Sequence, residues 1–442
     1  MSLSRDSTGA LRLGGYRLLE LLLPVGPAGR EPGTPTYVYD LDGIAAAARG
    51  LEDAFGGAPH LVAYAVKANT AGPVVRALAA AGCGADVVSG GELAVVLACG
   101  VAPERVVYSG VAKLDDELDR ALGCGERGIG AVQIESLEEI ARIESRARAA
   151  GRRARVSIRI NPSVDVGDAT HAHIATGHDE AKFGVPRDDV GSAVRLVEAS
   201  PHLELVGMAT HVGSQFTTLE PYLEAARVLL EMVRGLRDGG VLRSLAFVDT
   251  GGGFGIDYAG GSGALAPGDF VRAARMEQRA HRLDDLALYV EPGRCLVAPC
   301  GVIVARVIQP KVASAARWLM IDAGMNDLVR PALYQARHRI VPLDRDVAPD
   351  EAVPWRVVGP VCESSDDFGE HLLPRQPPGA VAILDAGAYG YTMASRYNGR
   401  QLPVEVFVRG GHVVGRTERA SVDAWAEERA NAGDPSSRQA AR

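Results

Sequence analysis

Short runs of β-branched residues alternate with helical stretches between about residues 60 and 300, and this alternation limits the possible folds more than any other feature of the chain. It predicts a parallel sheet, because parallel neighbours need a crossover connection that is usually a helix. Eight such units in roughly 250 residues fit a (β/α)8, TIM-like barrel. A doubly wound open sheet is the alternative that strand counting leaves open. The predicted strands are Leu61–Val66, Ala85–Val88, Val106–Ser109, Ala131–Ile134, Arg155–Ile160, Leu205–Thr210, Leu245–Thr250 and Leu286–Val290. The clearest helical periods are Gly91–Cys99, Leu137–Ala150, Pro221–Arg237 and Phe270–Arg282.

After residue 300 the pattern changes to β-like runs separated by Gly and Pro turns, which predicts a second, all-β domain of sandwich or barrel type. Arg409–His412 is typical of a hairpin turn, and Tyr37–Asp40 is expected to join this domain as an extra strand. The β-like runs are Gly301–Gln309, Trp318–Asp322, Arg356–Cys362, Ala380–Leu384 and Val404–Val408. The expected divisions are an N-terminal segment (1–41), the barrel (42–300), the β domain (301–422) and a tail without regular structure (423–442).

Composition excludes several classes of partner. Lys and Arg number 47 against 55 Asp and Glu, a net charge of −8, so no basic surface for nucleic acid or an anionic membrane is expected. No apolar run reaches the ~18 residues of a membrane helix. The six cysteines form no CxxC pair and indicate neither a disulfide framework nor a zinc site. A cytoplasmic protein is the expectation.

Polar and glycine-rich segments follow several of the predicted strands, at the face of a barrel where catalytic groups gather. Three adjacent glycines, Gly251–Gly253, allow backbone N–H groups to approach a phosphate closely. A lysine in an apolar strand, such as Lys67, can have its pKa lowered and act as a Schiff-base nucleophile. A carboxylate such as Glu291 can hold a ring nitrogen protonated. Together these groups indicate pyridoxal 5'-phosphate as the cofactor.

Taken in order, the segments resemble the alanine-racemase-like (fold type III) pyridoxal-phosphate decarboxylases over roughly residues 34–408. The residues that carry the resemblance are Tyr64–Asn69, His211–Gln215, Gly251–Gly253, Glu291–Arg294, Cys362–Ser364 and Asp385–Tyr389. The pattern His173–Gly177 followed by Lys182–Gly184 is similar to the branch that acts on diaminopimelate.

The resemblance implies a role for each matching residue. Lys67 would form the imine with the cofactor, His211 would stack on its ring, and Glu291 would bind its nitrogen, with Asp86 and Arg159 around the ring. Cys362 would donate a proton. The phosphate would be bound by Ser214, Gly252, Gly253, Gly293 and Arg294, with Tyr389 nearby. Family members are homodimers in which the segment carrying Cys362 and Glu363 completes the partner's active site.

The expected reaction is loss of CO2 rather than racemisation, because Glu291 favours a protonated ring and racemisation needs a base on each face. A distal carboxylate calls for a planar, bidentate donor. The resemblance implies that Arg294, Arg330 and Tyr334 bind it and that Glu363 binds the distal amine. Tyr389 is also expected to contact the substrate. The expected substrate is meso-2,6-diaminopimelate, decarboxylated to L-lysine. The alternatives are carboxynorspermidine, ornithine, lysine or carrier-bound glutamate as substrate, or a catalytically silent pyridoxal-phosphate-binding homologue.

Two further segments carry expectations. The polar stretch between Pro162 and Pro186 exceeds the usual loop length and is expected to be a lid. It contains His171, His173 and His178, whose spacing resembles no common zinc site, so no metal is expected. Near the C-terminus, Ser395–Pro403 departs from the family pattern.

Overall fold

The computed structural model describes residues 3–22, 33–164, 181–242, 244–261, 263–314 and 316–432. They form two compact units. The first contains Leu41–Cys300 together with Gly387–Thr392, a segment that the sequence-based boundaries place in the β domain. The second contains the described residues before Leu41, Gly301–Ala386, and those from Met393 onward. The expected lid lies mostly, and its three histidines lie entirely, outside the described residues.

Four strands precede the barrel: β1 (Leu3–Arg5), β2 (Leu11–Leu13), β3 (Tyr16–Arg17) and β4 (Thr36–Asp40). The first three form a small antiparallel sheet that the sequence analysis did not predict. Leucines of this sheet pack with Val38 of β4 in the core of the second unit. β4 is buried along its whole length.

Eight parallel strands of the first unit close into a ring, because the last of them pairs with the first. This confirms the barrel and excludes the doubly wound sheet. The predicted strands lie within two residues of the observed ones, and a ninth, two-residue strand (β10) adds to β9 outside the ring. The strands are β5 (His60–Ala65), β6 (Gly84–Val87), β7 (Val106–Tyr108), β8 (Ala131–Ile134), β9 (Ala154–Asn161), β10 (Val185–Pro186), β11 (Leu203–Thr210), β12 (Phe247–Gly252) and β13 (Ala287–Glu291).

The helices of this unit cover the barrel with amphipathic faces. In α5, Ile140, Ile143 and Ala147 recur at helical spacing and are buried. The helix begins where the Ser136 hydroxyl accepts the Glu139 backbone N–H. The helices are α1 (Leu41–Asp53), α2 (Gly72–Ala80), α3 (Gly90–Ala98), α4 (Asp115–Gly123), α5 (Leu137–Ala149), α6 (Val190–Ala199), α7 (Glu220–Asp238), α8 (Pro267–Ala280) and α9 (Arg294–Val297). Within the described part of the chain, no helix is both long and apolar enough to cross a membrane.

The second unit is built around β14 (Gly301–Val312), which changes partners along its length. Its first half pairs with β4 and β19, and its second half with β15. β20 lies parallel to β4, so the N-terminal strand joins this sheet as expected. The other elements are β15 (Arg317–Ile321), α10 (Arg330–Tyr334), β16 (Ile340–Pro342), β17 (Ala352–Val358), β18 (Asp367–Pro374), β19 (Ala380–Ile383), β20 (Val404–Arg409), β21 (His412–Arg416) and α11 (Val422–Ala430).

Two sequence-based expectations for this unit are wrong. The strand predicted over Arg356–Cys362 ends at Val358, because Pro360 cannot donate to a sheet, and Cys362 therefore lies in the following turn. The expected structureless tail contains α11, which begins where the Ser421 hydroxyl accepts the Ala424 N–H. This helix buries no side chain, so it carries no apolar periodicity from which to predict it. The hairpin turn at Arg409–His412 is confirmed.

Candidate active site

Lys67 and Asp86 form an ion pair where β5 and β6 end. Lys67 lies in a single helical turn directly after β5, and its Nζ is 3.1 Å from Asp86 Oδ2. Burial alone would lower the pKa of Lys67, but the charges of Asp86, Tyr389 and Glu291 raise it above its usual value. The expectation of a lowered lysine pKa is therefore wrong: the carboxylates around the amine outweigh its apolar strand. Burial raises the pKa of Asp86 to about 7.

His211 and Glu291 make the second contact of the site. His211 Nδ1 lies 3.2 Å from Glu291 Oε2 and 3.2 Å from the backbone nitrogen of Gly252. Burial lowers the pKa of His211, so the imidazole is neutral. Burial would raise the pKa of Glu291, but the contact with His211 and the charges of Lys67 and Arg159 lower it to about 2. The site therefore presents one firmly ionised carboxylate beside a neutral imidazole.

The glycine turn after β12 packs so closely on neighbouring backbone that a side chain would not fit. A Cβ on Gly252 would lie 2.0 Å from the Glu291 carbonyl oxygen. A Cβ on Gly253 would lie 2.4 Å from the Gly213 carbonyl oxygen, and its φ of +89° favours glycine. The turn can thus bring its backbone against a ligand, as a phosphate cradle requires.

Arg294 contacts Ser214 and two tyrosine side chains of the site. Its guanidinium donates to the Ser214 hydroxyl and to the Tyr258 hydroxyl, both at 2.9 Å, and lies 4.9 Å from the centre of the Tyr389 ring. Tyr389 adopts a left-handed backbone conformation, with a φ of 56°, and its N–H donates to the Ala68 carbonyl. Tyr389 therefore lies beside the turn that carries Lys67. No sequence pattern had indicated Tyr258.

Gly293 and Arg159 position neighbouring groups. A Cβ on Gly293 would meet the Ala68 and Ala65 methyl groups at 3.0 and 3.1 Å. Arg159 donates to Glu135 at 3.1 Å and to the His211 carbonyl at 3.0 Å, so it fixes the backbone that carries the imidazole. Glu135 was missed by the sequence analysis, although it follows a strand directly and the strand-end rule would have found it.

The predicted residues of the β domain form two clusters in the second unit. Cys362 is exposed, and its N–H donates to Asn398 Oδ1 at 3.0 Å. The Glu363 carboxylate accepts the Tyr397 hydroxyl and, at 3.2 Å, the Ser365 hydroxyl. Asn398 and Tyr397 belong to the segment that departs from the family pattern, and the sequence analysis gave them no role.

Arg330 lies in the other cluster, buried in the second unit at the start of α10, with half-buried Tyr334 at its end. Its guanidinium nitrogen is 2.6 Å from His338 Nε2, and His338 Nδ1 is 2.8 Å from the Leu384 carbonyl. Because the guanidinium can only donate, Nε2 accepts and Nδ1 carries the proton.

A family model described as "Pyridoxal-dependent decarboxylase, pyridoxal binding domain" matches residues 41–298. This span covers the barrel and every residue of the strand-end site except Tyr389. The chain belongs to the pyridoxal-phosphate-dependent decarboxylases.

Its relatives within that family include diaminopimelate decarboxylases. The enzyme of Pseudomonas aeruginosa is 43% identical over 87% of this chain and 91% of its own length, and that of Zymomonas mobilis is 39% identical over 91% and 94%. The structure of the Helicobacter pylori enzyme complexed with L-lysine has a TM-score of 0.82 and 38% identity, covering 90% of this chain and 98% of that one. The Methanocaldococcus jannaschii enzyme has a TM-score of 0.87 and 32% identity, covering 98% and 97%.

The residues of the barrel mouth fit pyridoxal phosphate. The three glycines carry no Cβ that could keep the backbone N–H groups of this turn from a phosphate. The buried guanidinium of Arg294 also has one nitrogen, Nε, without a hydrogen-bond partner among the described residues, as suits a site for an anion. Lys67 supplies an amine and Glu291 an ionised carboxylate, the two groups that an aldehyde-bearing pyridine ring requires.

Proposed function

We propose that this chain decarboxylates meso-2,6-diaminopimelate to L-lysine and CO2 with pyridoxal phosphate. The observation that carries the proposal is its likeness to diaminopimelate decarboxylases, at 37–43% identity over at least 86% of this chain. Two of the similar structures, from Helicobacter pylori and Methanocaldococcus jannaschii, hold L-lysine, the expected product.

Bound pyridoxal phosphate supplies a ring that accepts the electron pair left on Cα when CO2 departs. Lys67 is the attachment point, and its Nζ must lose a proton before it can act as a nucleophile. Asp86 Oδ2 lies 3.1 Å from Nζ and is the group placed to accept that proton. Glu291 is ionised and so can hold a proton on the ring nitrogen.

The phosphate is assigned to the glycine turn, Ser214, Gly293 and Arg294, with Tyr389 stacked on the guanidinium. His211 is assigned to the face of the ring, and Arg159 to holding His211 in place. Cys362 is assigned the proton that replaces CO2 on Cα, because it is an exposed thiol on a fixed turn.

The distal end of the substrate is assigned to residues of both signs. Arg330 and Arg294, with Tyr334 and Tyr389, bind the carboxylate, and Glu363 binds the amine. A tail that carries both charges suits this set better than the bare amine of lysine or ornithine does.

The deciding experiment measures CO2 release from meso-diaminopimelate, L-lysine, L-ornithine, carboxynorspermidine and carrier-bound glutamate at equal concentrations. Diaminopimelate is expected to be turned over at least tenfold faster than the others. Faster turnover of another substrate would overturn the proposal, and the absence of CO2 from any of them would favour a silent homologue.

Two parts of the proposal concern the assembled protein. The active form is a homodimer in which Cys362 and Glu363 of one chain complete the site of the other. The compartment is the cytoplasm: all six cysteines are unpaired, which suits a reducing environment.

A further inference from the structure

Asp249 is a buried carboxyl group to which neither the sequence nor the proposed mechanism gives a role. It is fully buried on β12, two residues after Phe247, whose ring stacks on Tyr289 at 4.0 Å. In the β12–β13 register Asp249 is paired with Tyr289, so Glu291 is its diagonal neighbour. Its Oδ1 accepts the Gly251 N–H at 2.8 Å.

The second oxygen of the Asp249 carboxyl group, Oδ2, bears on its protonation state. Among the described residues no N–H or O–H group donates to Oδ2, although the atom is buried. The β12–β13 register places the Glu291 carboxyl group next to Asp249, and among charged groups Glu291 acts most strongly on Asp249. Two ionised carboxylates cannot share a hydrogen bond, because both only accept. One of the two must carry a proton.

The surroundings decide which of them carries it. Glu291 lies against His211 at 3.2 Å, after β11, and feels the positive charges of Lys67, after β5, and Arg159, on β9. The charged groups that act most strongly on Asp249 are Glu291 on β13 and Asp86 on β6, and both add negative charge. Burial and these two carboxylates raise the pKa of Asp249 well above its usual value.

We infer that Asp249 is protonated at neutral pH and donates a hydrogen bond from Oδ2 to Glu291, as a positioning residue for the carboxylate that serves the cofactor ring. Gly251 fixes Asp249, and Asp249 fixes Glu291, so the glycine turn and the ring-nitrogen partner are held in one geometry. The inference rests on the proposed function only for what Glu291 binds.

The test exploits the likeness between a protonated carboxyl group and an amide. In Asp249→Asn the amide oxygen can accept from Gly251 while the NH2 donates to Glu291, whereas Asp249→Ala removes the donor. We expect Asp249→Asn to keep the pyridoxal phosphate Kd within about threefold. Asp249→Ala should raise it roughly 10- to 100-fold, as expected for a lost hydrogen bond to a charged group.

A second readout uses the cofactor-free protein and needs no substrate. Infrared difference spectra of protein labelled with ¹³C-aspartate should show the carbonyl stretch of a protonated carboxylic acid at pH 7. Asp86 and Asp327, whose pKa values are also raised to about 7, contribute to the same stretch. Asp249→Asn should therefore lose the part of the stretch that comes from Asp249, and the control Asp257→Asn, in which a loop-capping carboxylate is changed, should lose none of it. An unchanged stretch in Asp249→Asn would overturn the inference, whatever the substrate proves to be. So would equal losses of affinity in Asp249→Asn and Asp249→Ala.

Discussion

At the scale of single residues, three buried carboxyl groups toward the C-terminal ends of the barrel strands differ in pKa because their neighbours differ. Burial raises the pKa of Asp86 to about 7 and raises that of Asp249, whereas His211, Lys67 and Arg159 lower the pKa of Glu291 to about 2. Three anions in one apolar space would repel each other strongly. Of the three, only Glu291 is firmly ionised, and it is the carboxylate to which the proposed function assigns the ring nitrogen.

Lys67 is expected to carry the cofactor. Borohydride reduction of the holoenzyme should leave a phosphopyridoxyl group on Lys67, found by peptide mass spectrometry, and none on Lys113, Lys182 or Lys311. Lys113 is a useful internal control, because it is more deeply buried than Lys67 and is paired with Glu139 at 2.9 Å. An adduct on Lys113, or none on any lysine, would contradict the assignment of Lys67.

Arg330 is expected to set specificity. Arg330→Ala should lower kcat/KM for diaminopimelate by roughly 30- to 3,000-fold, since losing a charge-assisted bidentate contact costs about 2–5 kcal/mol. Arg330→Lys should recover little. The cofactor absorbance should be unchanged, and exposed Arg337→Ala is the matched control. An equal loss with L-lysine as substrate would mean that Arg330, through its contact with His338, supports only the fold of the second unit.

At the scale of elements, one carboxylate holds the turn that carries Cys362 and Glu363. Asp366 is buried, and its two oxygens accept the N–H groups of Met325 and Val361, both at 2.6 Å. A Cβ on Gly359 would lie 2.4 Å from the same carboxylate, so the turn closes tightly around it.

Asp366→Asn should therefore loosen the turn, because each carboxylate oxygen accepts one N–H and the new NH2 must face one of them. We expect kcat to fall roughly 10- to 100-fold, with the cofactor spectrum unchanged. Exposed Asp350→Asn in the same unit is the control. Unaltered turnover in Asp366→Asn would show that the turn is held without this carboxylate.

A second element-scale prediction concerns β20, where burial raises the pKa of Glu405 from 4.5 to about 7. Below pH 4.5 this group is protonated whether folded or unfolded. Between pH 4.5 and 7 the Glu405 carboxyl group ionises only in the unfolded chain. The contribution of Glu405 to the free energy of unfolding, about 3 kcal/mol, is therefore lost as the pH rises through this range. The free energy of unfolding of Glu405→Gln should lack this decline, while exposed Glu418→Gln should retain it. If the free energy of unfolding of wild type and of Glu405→Gln changed with pH in parallel, this prediction would be wrong.

The strand-end rule found Lys67, His211 and Glu291 because their places along the chain alone bring them to one face of a barrel. The same rule passed over Asp249, because it lies inside a predicted strand and only the β12–β13 register shows that it lies next to Glu291. The direction of the Lys67 pKa shift depends on a 3.1 Å contact with Asp86, which no spacing in the sequence encodes. The position of Tyr389 likewise depends on a contact between residues far apart in the sequence, the hydrogen bond from its N–H to the Ala68 carbonyl.

At the scale of the whole molecule, the proposed homodimer makes a prediction about mixed subunits. Lys67→Ala and Cys362→Ala should each be inactive alone, and mixing them under conditions of subunit exchange should restore activity. Random reassociation makes half of the dimers mixed, and each mixed dimer has one intact site of two, so about a quarter of wild-type activity is expected. No recovery despite demonstrated exchange would place Lys67 and Cys362 in the site of one chain.

The position of Tyr389 in the first unit imposes an order on the synthesis of the protein. The last barrel strand ends at Glu291, yet the ring that stacks on Arg294 lies 98 residues further along the chain. At 5–20 residues per second the ribosome needs about 5–20 s to make that stretch. During that time a newly made barrel has its glycine turn in place, but its Ala68 carbonyl lacks the hydrogen bond from the Tyr389 N–H. In the proposed function Tyr389 and Arg294 help to hold the phosphate, and tight capture of the cofactor is therefore expected only of the nearly finished chain.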